Sequence, residues 1–495
     1  MASSLAMPTD VSSELKESGA EPWFAARMIP LMLIILVGAL AWGIIPPDGL
    51  EVSAYRTAIV FIATIAAIVT NVMPTGAVAI VSVAAYSILR PGGEESAAVV
   101  INNAIGNFNN ALIWLIVIAF MVARAFSKTG LGRRIALLLL SKFGQSSLRI
   151  AYCLGLADFI IAPATPSNTA RAAIVSPIAH SLAQTIDKAD KKLGQFLISC
   201  SSAMNDASGA GFQTGFAGNL ALVGIATTVA GVTLSFTDWM LYLLLPALVL
   251  LAAIPLILYT FISPDTKKTP EAPAFARGEL QKMGAVTRSE WKLVGVFIAL
   301  IVMWIGGSAL GIHSTAAAFI GLSILLLTGV LSWGDIKAEK GAWDTLIWFS
   351  VLMGMAGHLK DLGFTGWVGG QVSEALSMAM GGASPTLFLL AMMVFYLFTA
   401  YFFASATAKV VALGPVILGA LMTLGVNPMV AVLAVAGITN IGGNLSTYSH
   451  ARNPLLMGYG YHTDSEWMRI GLVISVAGMV LFMASGLVWW TLLGA

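Results

Sequence analysis

A five-residue pattern occurs twice in this chain. Ser167-Asn168-Thr169-Ala170-Arg171 is followed by Pro177, and Ser405-Ala406-Thr407-Ala408-Lys409 by Pro415. Both read Ser-x-Thr-Ala-cation with proline ten places after the serine, and 405 − 167 gives an offset of 238. Short hydroxyls beside a fixed cation are suited to holding a carboxylate. Each copy lies in an otherwise apolar segment, where a lone Arg or Lys costs at least ~2.5–3.5 kcal/mol on insertion scales. A doubly negative ligand meeting both Arg171 and Lys409 would remove that penalty. A site charged when empty and nearly neutral when loaded would cross an apolar barrier only when full, which is obligatory exchange without sodium.

The elements that position these residues must be membrane helices. The chain has 495 residues, 58% hydrophobic and 10% charged, with mean hydropathy +0.87. Soluble proteins carry about 25% charged residues, so lipid is the solvent for most of this surface. The net charge of +2, with basic residues in loops, argues against nucleic acid. Cys153 and Cys200 lie in apolar stretches and read as buried small hydrophobes.

Apolar runs long enough to span fall at 28–45, 56–72, 75–90, 108–126, 194–230, 236–262, 291–310, 315–331, 344–359, 427–460 and 467–493. Two further stretches, 149–184 and 385–424, contain the repeated pattern and are broken by small and polar residues; each reads as a re-entrant helical hairpin. Segments 127–147 and 364–380 are amphipathic and suit the membrane surface. The fold class is therefore all-α and polytopic, about 11 transmembrane helices plus two re-entrant hairpins.

Further landmarks recur. Leu112-Ile113-Trp114 returns as Leu346-Ile347-Trp348, and Gly218-Asn219 to Gly224 as Arg452-Asn453 to Gly458, both at an offset of 234. The organisation expected is a tail at 1–27, a first helix and outer loop at 28–54, a first repeat at 55–262, a linker at 263–290 and a second repeat at 291–495. The tail carries Asp10, Glu14, Glu17 and Glu21 against Lys16 and Arg27, unlike a secretory signal. Lys267, Lys268, Arg277, Lys282 and Arg288 put the linker in the cytoplasm. Lys142, Arg149, Lys188, Lys191 and Lys192 flank the first hairpin, which should open from the cytoplasm, while the second should open from outside. Two halves facing opposite ways make an inverted-topology repeat with a cytoplasmic N-terminus.

Each half also contains a broken helix, at Asn205 to Gly215 and at Thr439 to Pro454. Glycine and proline there free backbone N–H and C=O groups, tolerated at depth only beside a cavity. The expected substrate-binding set is Ser167, Asn168, Thr169, Arg171, Thr214, Asn219, Ser405, Thr407, Lys409, Thr447 and Asn453. Arg171 could instead neutralise Asp158 or Asp206, and Lys409 could snorkel to the outer surface. His450 and Arg452 read equally as ligands or interfacial groups.

On these residues the chain resembles the divalent anion/sodium symporter family. Ser167-Asn168-Thr169 matches that family's hairpin-tip motif and Ser405-Ala406-Thr407 lies where its second copy belongs. Within the family, Thr165-Pro166-Ser167-Asn168-Thr169-Ala170-Arg171 and Leu445-Ser446-Thr447-Tyr448 are similar to the exchanger branch: plastid 2-oxoglutarate/malate translocators and bacterial citrate/succinate or tartrate/succinate antiporters. The resemblance implies a homodimer with elevator-like transport domains and a dicarboxylate held between the hairpin tips. It also implies sodium beside each Ser-Asn-Thr in coupled members. Here Ala406 replaces the second Asn, Arg171 and Lys409 bring cations to those places, and the Pro-Pro-Asn of coupled members is missing. These departures point away from sodium.

Other chemistries find little support. His180, His313, His358 and His462 lack metal-ligand spacing. The glycines of 209–215 miss the dinucleotide fingerprint, with Thr214 at its third glycine. Asp206 and Ser208 have no Gly-x-Ser-x-Gly context. Trp489 and Trp490 suit an interfacial belt. The expectation is a cell (inner) membrane carrier, without cofactor or metal, exchanging C4–C6 di- or tricarboxylates; the alternative is a sodium-coupled dicarboxylate symporter, and an intramembrane enzyme is a more distant rival.

Overall fold

The computed structural model describes residues 26–93, 96–379 and 381–495; most of the acidic tail lies outside them. Among the described residues the chain is helical throughout, the only extended pairing being an isolated bridge between Ser146 and Lys268. Eight helices among the described residues are long and apolar enough to cross a membrane: Val52–Val69, Ala111–Thr129, Ser147–Ala164, Phe236–Ile262, Arg288–Gly307, Pro385–Phe402, Ala406–Thr423 and Asp464–Leu492. Shorter apolar helices include Met28–Trp42, Thr75–Leu89, Ala217–Ala230, Ser314–Leu327 and Pro428–Asn444. Each of the eleven apolar runs of the sequence contains helix. Their outer faces stay apolar: Leu327 is 87% exposed and Leu492 74%, surface that lipid rather than water accommodates.

Helix starts follow local chemistry. Ser235 with Asp238, Thr287 with Glu290, Ser332 with Asp335, and Thr463 with Glu466 each close a reciprocal capping box, which satisfies two otherwise orphaned N–H groups.

Two compact units form. Of the described residues, those up to Gly106 together with Ile347–Phe364 form one, and those in Asn107–Leu346 and Thr365–Ala495 form the other. In the first, Thr64 donates to Ser82 at 3.0 Å between packed helices, and Tyr86 meets His358 edge-on at 6.2 Å. The second unit holds both hairpins and both broken helices.

The linker carries more structure than its polarity suggests, and one expectation, for Trp490, needs correction. The polar stretch 263–290 contains a helix, Glu271–Met283, with Ala272 and Ala276 fully buried. It is fastened to the amphipathic helix Leu131–Phe143 by Arg133–Glu279 at 2.6 Å. Arg134 on that helix also reaches Glu290 at 2.6 Å and the Gly284 carbonyl at 2.9 Å. Trp490 is fully buried and donates to the Tyr242 carbonyl at 2.9 Å, so it seals a helix contact rather than an interface. Cys153 and Cys200 are buried free thiols.

Candidate functional site

The two hairpins have the same construction. Helix Ser147–Ile161 ends in a 3-10 turn, Ala162–Ala164, and restarts as Asn168–Ile186. Pro385–Phe398 likewise ends in Thr399–Phe402 and restarts as Ala406–Thr423. The serines of the repeated pattern are the N-caps of the restarted helices. Ser167 Oγ accepts from the Ala170 N–H at 3.1 Å and Ser405 Oγ from the Ala408 N–H at 3.3 Å.

The broken helices also repeat each other. The first runs Lys191–Gly211, turns through Gln213–Gly215 and resumes at Ala217–Ile225. The second runs Pro428–Ile441, turns at Gly442–Asn444 and resumes at Asn453–Met457. Asn219 Nδ2 donates to the Gly209 and Phe212 carbonyls at 2.8 and 2.9 Å. Asn453 Nδ2 donates to the Gly443 and Ser446 carbonyls, both at 2.8 Å. All three positions are offset by 234, so one asparagine in each half ties up the carbonyls that the break frees.

Around these breaks lie five charged residues, each no more than 3% exposed. Arg171 Nε faces Asp158 at 3.2 Å, one Nη donates to the Thr165 and Gly215 carbonyls, and the other to Asn168 Oδ1 at 2.9 Å and the Asn205 carbonyl at 3.0 Å. All five guanidinium donors are committed to protein acceptors. Arg452 meets Asp206 through two bonds of 2.6 and 2.7 Å and also donates to Ser202 and Asn205, each at 3.1 Å. Asp206 further accepts from Asn168 and Asn444, at 3.3 and 2.6 Å.

Lys409 differs. Its ammonium is buried without a hydrogen-bond acceptor among the described residues; it lies over the Tyr396 ring, 4.3 Å from the centroid. A Cβ at Gly442 would press on the Ala400 methyl at 3.2 Å and on the ammonium at 3.3 Å, so glycine there lets the second broken helix approach the charge closely.

Of the expected residues, the structure knits Asn168, Arg171, Thr214, Asn219 and Asn453 into the protein's own hydrogen bonding, Thr214 donating to the Pro163 carbonyl. Lys409 is 1% exposed and does not snorkel. Ser167, Thr169, Ser405, Thr407 and Thr447 are half-buried. The breaks converge: a Cβ at Gly209 would meet Asn440, Asn168 and Arg171 within 3.3 Å, and one at Gly443 would meet Arg452, Asp206 and His450 at 3.3 Å. Among the described residues, buried Thr165 Oγ1, Ser208 Oγ, Asn440 Oδ1, Ser446 Oγ and Asn453 Oδ1 have no hydrogen-bond partner. Sequence reading put Asn205, Asn440 and Asn444 in the broken helices but outside the substrate-binding set, and it gave Tyr396 no role. Asp158 was one of two acids suggested for Arg171, and spacing alone could not choose between them.

An all-helical, multi-pass chain with broken helices meeting around buried charge is a membrane transporter. It belongs to the sodium:sulfate symporter family, whose transmembrane-region profile matches residues 25–495; this is a transporter family, not an enzyme family. The chain is 37% identical to the putative malate transporter YflS of Bacillus subtilis, over 97% of this chain and 99% of that protein. It is 38% identical to dicarboxylate transporter 2, chloroplastic, of Spinacia oleracea, over 95% and 83% of the two. With the L-tartrate/succinate antiporter of Escherichia coli it shares 32% identity over 93% and 97%. The fold is also that of Neisseria gonorrhoeae MtrF, with TM-score 0.57 at 11% identity, covering 93% of this chain and 97% of the other.

Proposed function

We propose that the chain exchanges C4–C6 di- or tricarboxylates across the cell (inner) membrane, with Lys409 as the cation that receives a substrate carboxylate. The observation that carries this reading is the Lys409 ammonium, buried and without an acceptor among the described residues. Ionisable groups inside membrane proteins are functional by default, and the other two buried cations of the site already have acids. The half-buried Ser167, Thr169, Ser405, Thr407 and Thr447 are the hydroxyls left for the substrate, with Asn168, Thr214, Asn219 and Asn453 holding the wall. Similarity to proteins named for malate, dicarboxylates and tartrate/succinate favours the substrate class. In this reading the two halves face opposite ways, the N-terminus is cytoplasmic, and a homodimer carries elevator-like transport units.

The charge count alters the argument for exchange. Arg171, Arg452 and Lys409 against Asp158 and Asp206 give 3 − 2, a net +1 rather than the +2 expected from the hairpin cations alone. A dianion turns +1 into −1; neutrality needs a singly charged load. That load is a dicarboxylate with one proton, or a dianion with one monovalent cation. The second option keeps the sodium-coupled symporter as the alternative on a specific observation.

Proteoliposomes decide between them. Exchange predicts rapid labelled-malate uptake into malate-loaded vesicles without sodium, and almost none into empty ones. Uptake into empty vesicles driven by an inward sodium gradient would favour symport. In either case Lys409→Met abolishes uptake; wild-type rates in that variant refute the site.

A further inference from the structure

The hairpins share more than their serine caps. Arg171 and Lys409 are related by 409 − 171 = 238, and 238 residues on from Asp158 stands Tyr396. Each of these partners lies thirteen residues before its cation, on the arm entering the tip. A third position agrees. Asn205 Nδ2 donates to Asp158 Oδ1 at 2.8 Å in the first half. In the second, the Tyr396 hydroxyl is 2.9 Å from Thr439 Oγ1, and 439 − 205 is the broken-helix offset of 234. The triplet Asn205–Asp158–Arg171 therefore has its counterpart in Thr439–Tyr396–Lys409.

One chemical change separates the two triplets. In the first, a carboxylate faces the cation and cancels it. In the second, the ring of a fully buried tyrosine faces the cation and leaves its charge uncancelled. An aromatic face attracts a cation through its quadrupole but carries no net charge and accepts none of the ammonium's N–H bonds in the usual sense. Lys409 is thus held in place with its charge and its three donors still available.

We infer that Tyr396 is the residue that sets the charge of the substrate site, by occupying the place where the first half carries its neutralising acid. This rests on the reading of Lys409 as the substrate's cation and extends it. Tyr396 acts as a positioning and specificity-determining residue: it steadies the ammonium in the empty protein without satisfying it, so that only an incoming anion does. The hydroxyl bond to Thr439 fixes the ring to the second broken helix, and the absence of a side chain at Gly442 lets that helix pass close to the ammonium. An acid at position 396 rebuilds the first triplet's ion pair and removes the site's preference for anions.

The test uses the full chain in proteoliposomes, with labelled malate counterflow as the readout, and compares Tyr396→Phe, Tyr396→Asn and Tyr396→Asp. Asn and Asp have nearly the same size, so their difference isolates charge from packing. Tyr396→Asp should raise KM by roughly 10–100-fold over Tyr396→Asn, while Tyr396→Phe, which keeps the ring face but loses the Thr439 bond, should have a KM below both. Equal KM values for the Asn and Asp variants would overturn the inference. If the Asp variant does not fold, Tyr396→Leu provides a second measurement. Loss of the ring leaves the empty site less stable, so malate should raise its melting temperature by more than it raises that of the wild type; an equal shift overturns the inference. Lys409→Met in parallel separates the two levels. Wild-type transport there removes the underlying site reading, whereas a dead Lys409→Met beside equal Asn and Asp variants removes only the role of Tyr396.

Discussion

Arg452 grips Asp206 through two parallel N–H···O bonds of 2.6 and 2.7 Å, joining residues 246 apart in sequence. The pair crosses from one broken helix to the other, and Asn444 and Ser202 close around it. It is fully buried on the arginine side, so its value lies in completeness: every lone pair and donor has a match, and loss of one partner strands the other.

That asymmetry gives the first expectation. Asp206→Asn leaves the Arg452 charge uncompensated and should destabilise the protein by about 3–5 kcal/mol. The double replacement Asp206→Leu with Arg452→Met removes both charges and should lose markedly less. Denaturant unfolding of the purified protein in detergent measures both. Equal losses for the single and double variants would show that charge pairing is not what holds the broken helices together.

The pattern Ser-x-Thr-Ala-cation located both hairpin tips because N-capping is local chemistry, readable at Ser167 and Ser405. The offset of 234 located Asn219 and Asn453 as equivalents, and their matched carbonyl contacts follow from it. The fate of Arg171 was less legible: Asp158 and Asp206 were both within plausible reach, and only the fold makes one its partner and gives the other to Arg452. Tyr396 escaped notice because an aromatic residue in an apolar helix looks like packing. Its role emerges from comparison with Asp158, once the arms are aligned. The helix Glu271–Met283 was hidden by polarity, since its buried face consists of small residues such as Ala272 and Ala276, which carry little hydrophobic signal.

Acid sensitivity should centre on His462, in the loop that precedes the last long helix. It is 7% exposed, its Nε2 lies 2.9 Å from Ser199 Oγ, and its ring meets Trp467 edge-on. Burial is the main cause that lowers its pKa from 6.5 to about 4, with Lys191 also disfavouring the charged form and Glu466 opposing. The folded protein keeps the imidazole neutral, whereas the unfolded chain takes up a proton below about 6.5. Stability from this group is therefore complete above the unfolded value and is lost as pH falls through the window from about 6.5 to about 4. The full window corresponds to roughly 3 kcal/mol, at ~1.4 kcal/mol per pH unit. His462→Gln, which retains a hydrogen-bonding side chain, should flatten the fall in melting temperature between pH 6.5 and 4.5. An unchanged pH slope in that variant would assign the sensitivity elsewhere.

Asn219 and Asn453 make matching bonds through Nδ2 but differ at Oδ1. Asn219 Oδ1 accepts from Asn440 Nδ2 at 2.9 Å, whereas Asn453 Oδ1 is buried with no protein partner. The repeat explains the difference. The residue equivalent to Asn440 in the first half is Asp206, since 440 − 206 is 234, and a carboxylate engaged by Arg452 has no proton to donate. Alanine at either asparagine abandons two carbonyls that the break has already freed, a loss of about 1–3 kcal/mol for each group left unsatisfied. Asn219→Ala should exceed Asn453→Ala by about 1 kcal/mol, because a third bond goes with it. A double-mutant cycle with Asn440→Ala should then show coupling of at least ~0.5 kcal/mol with Asn219→Ala and almost none with Asn453→Ala. Coupling of the same size at both positions would mean that the two asparagines share surroundings, contrary to the split in their Oδ1 contacts.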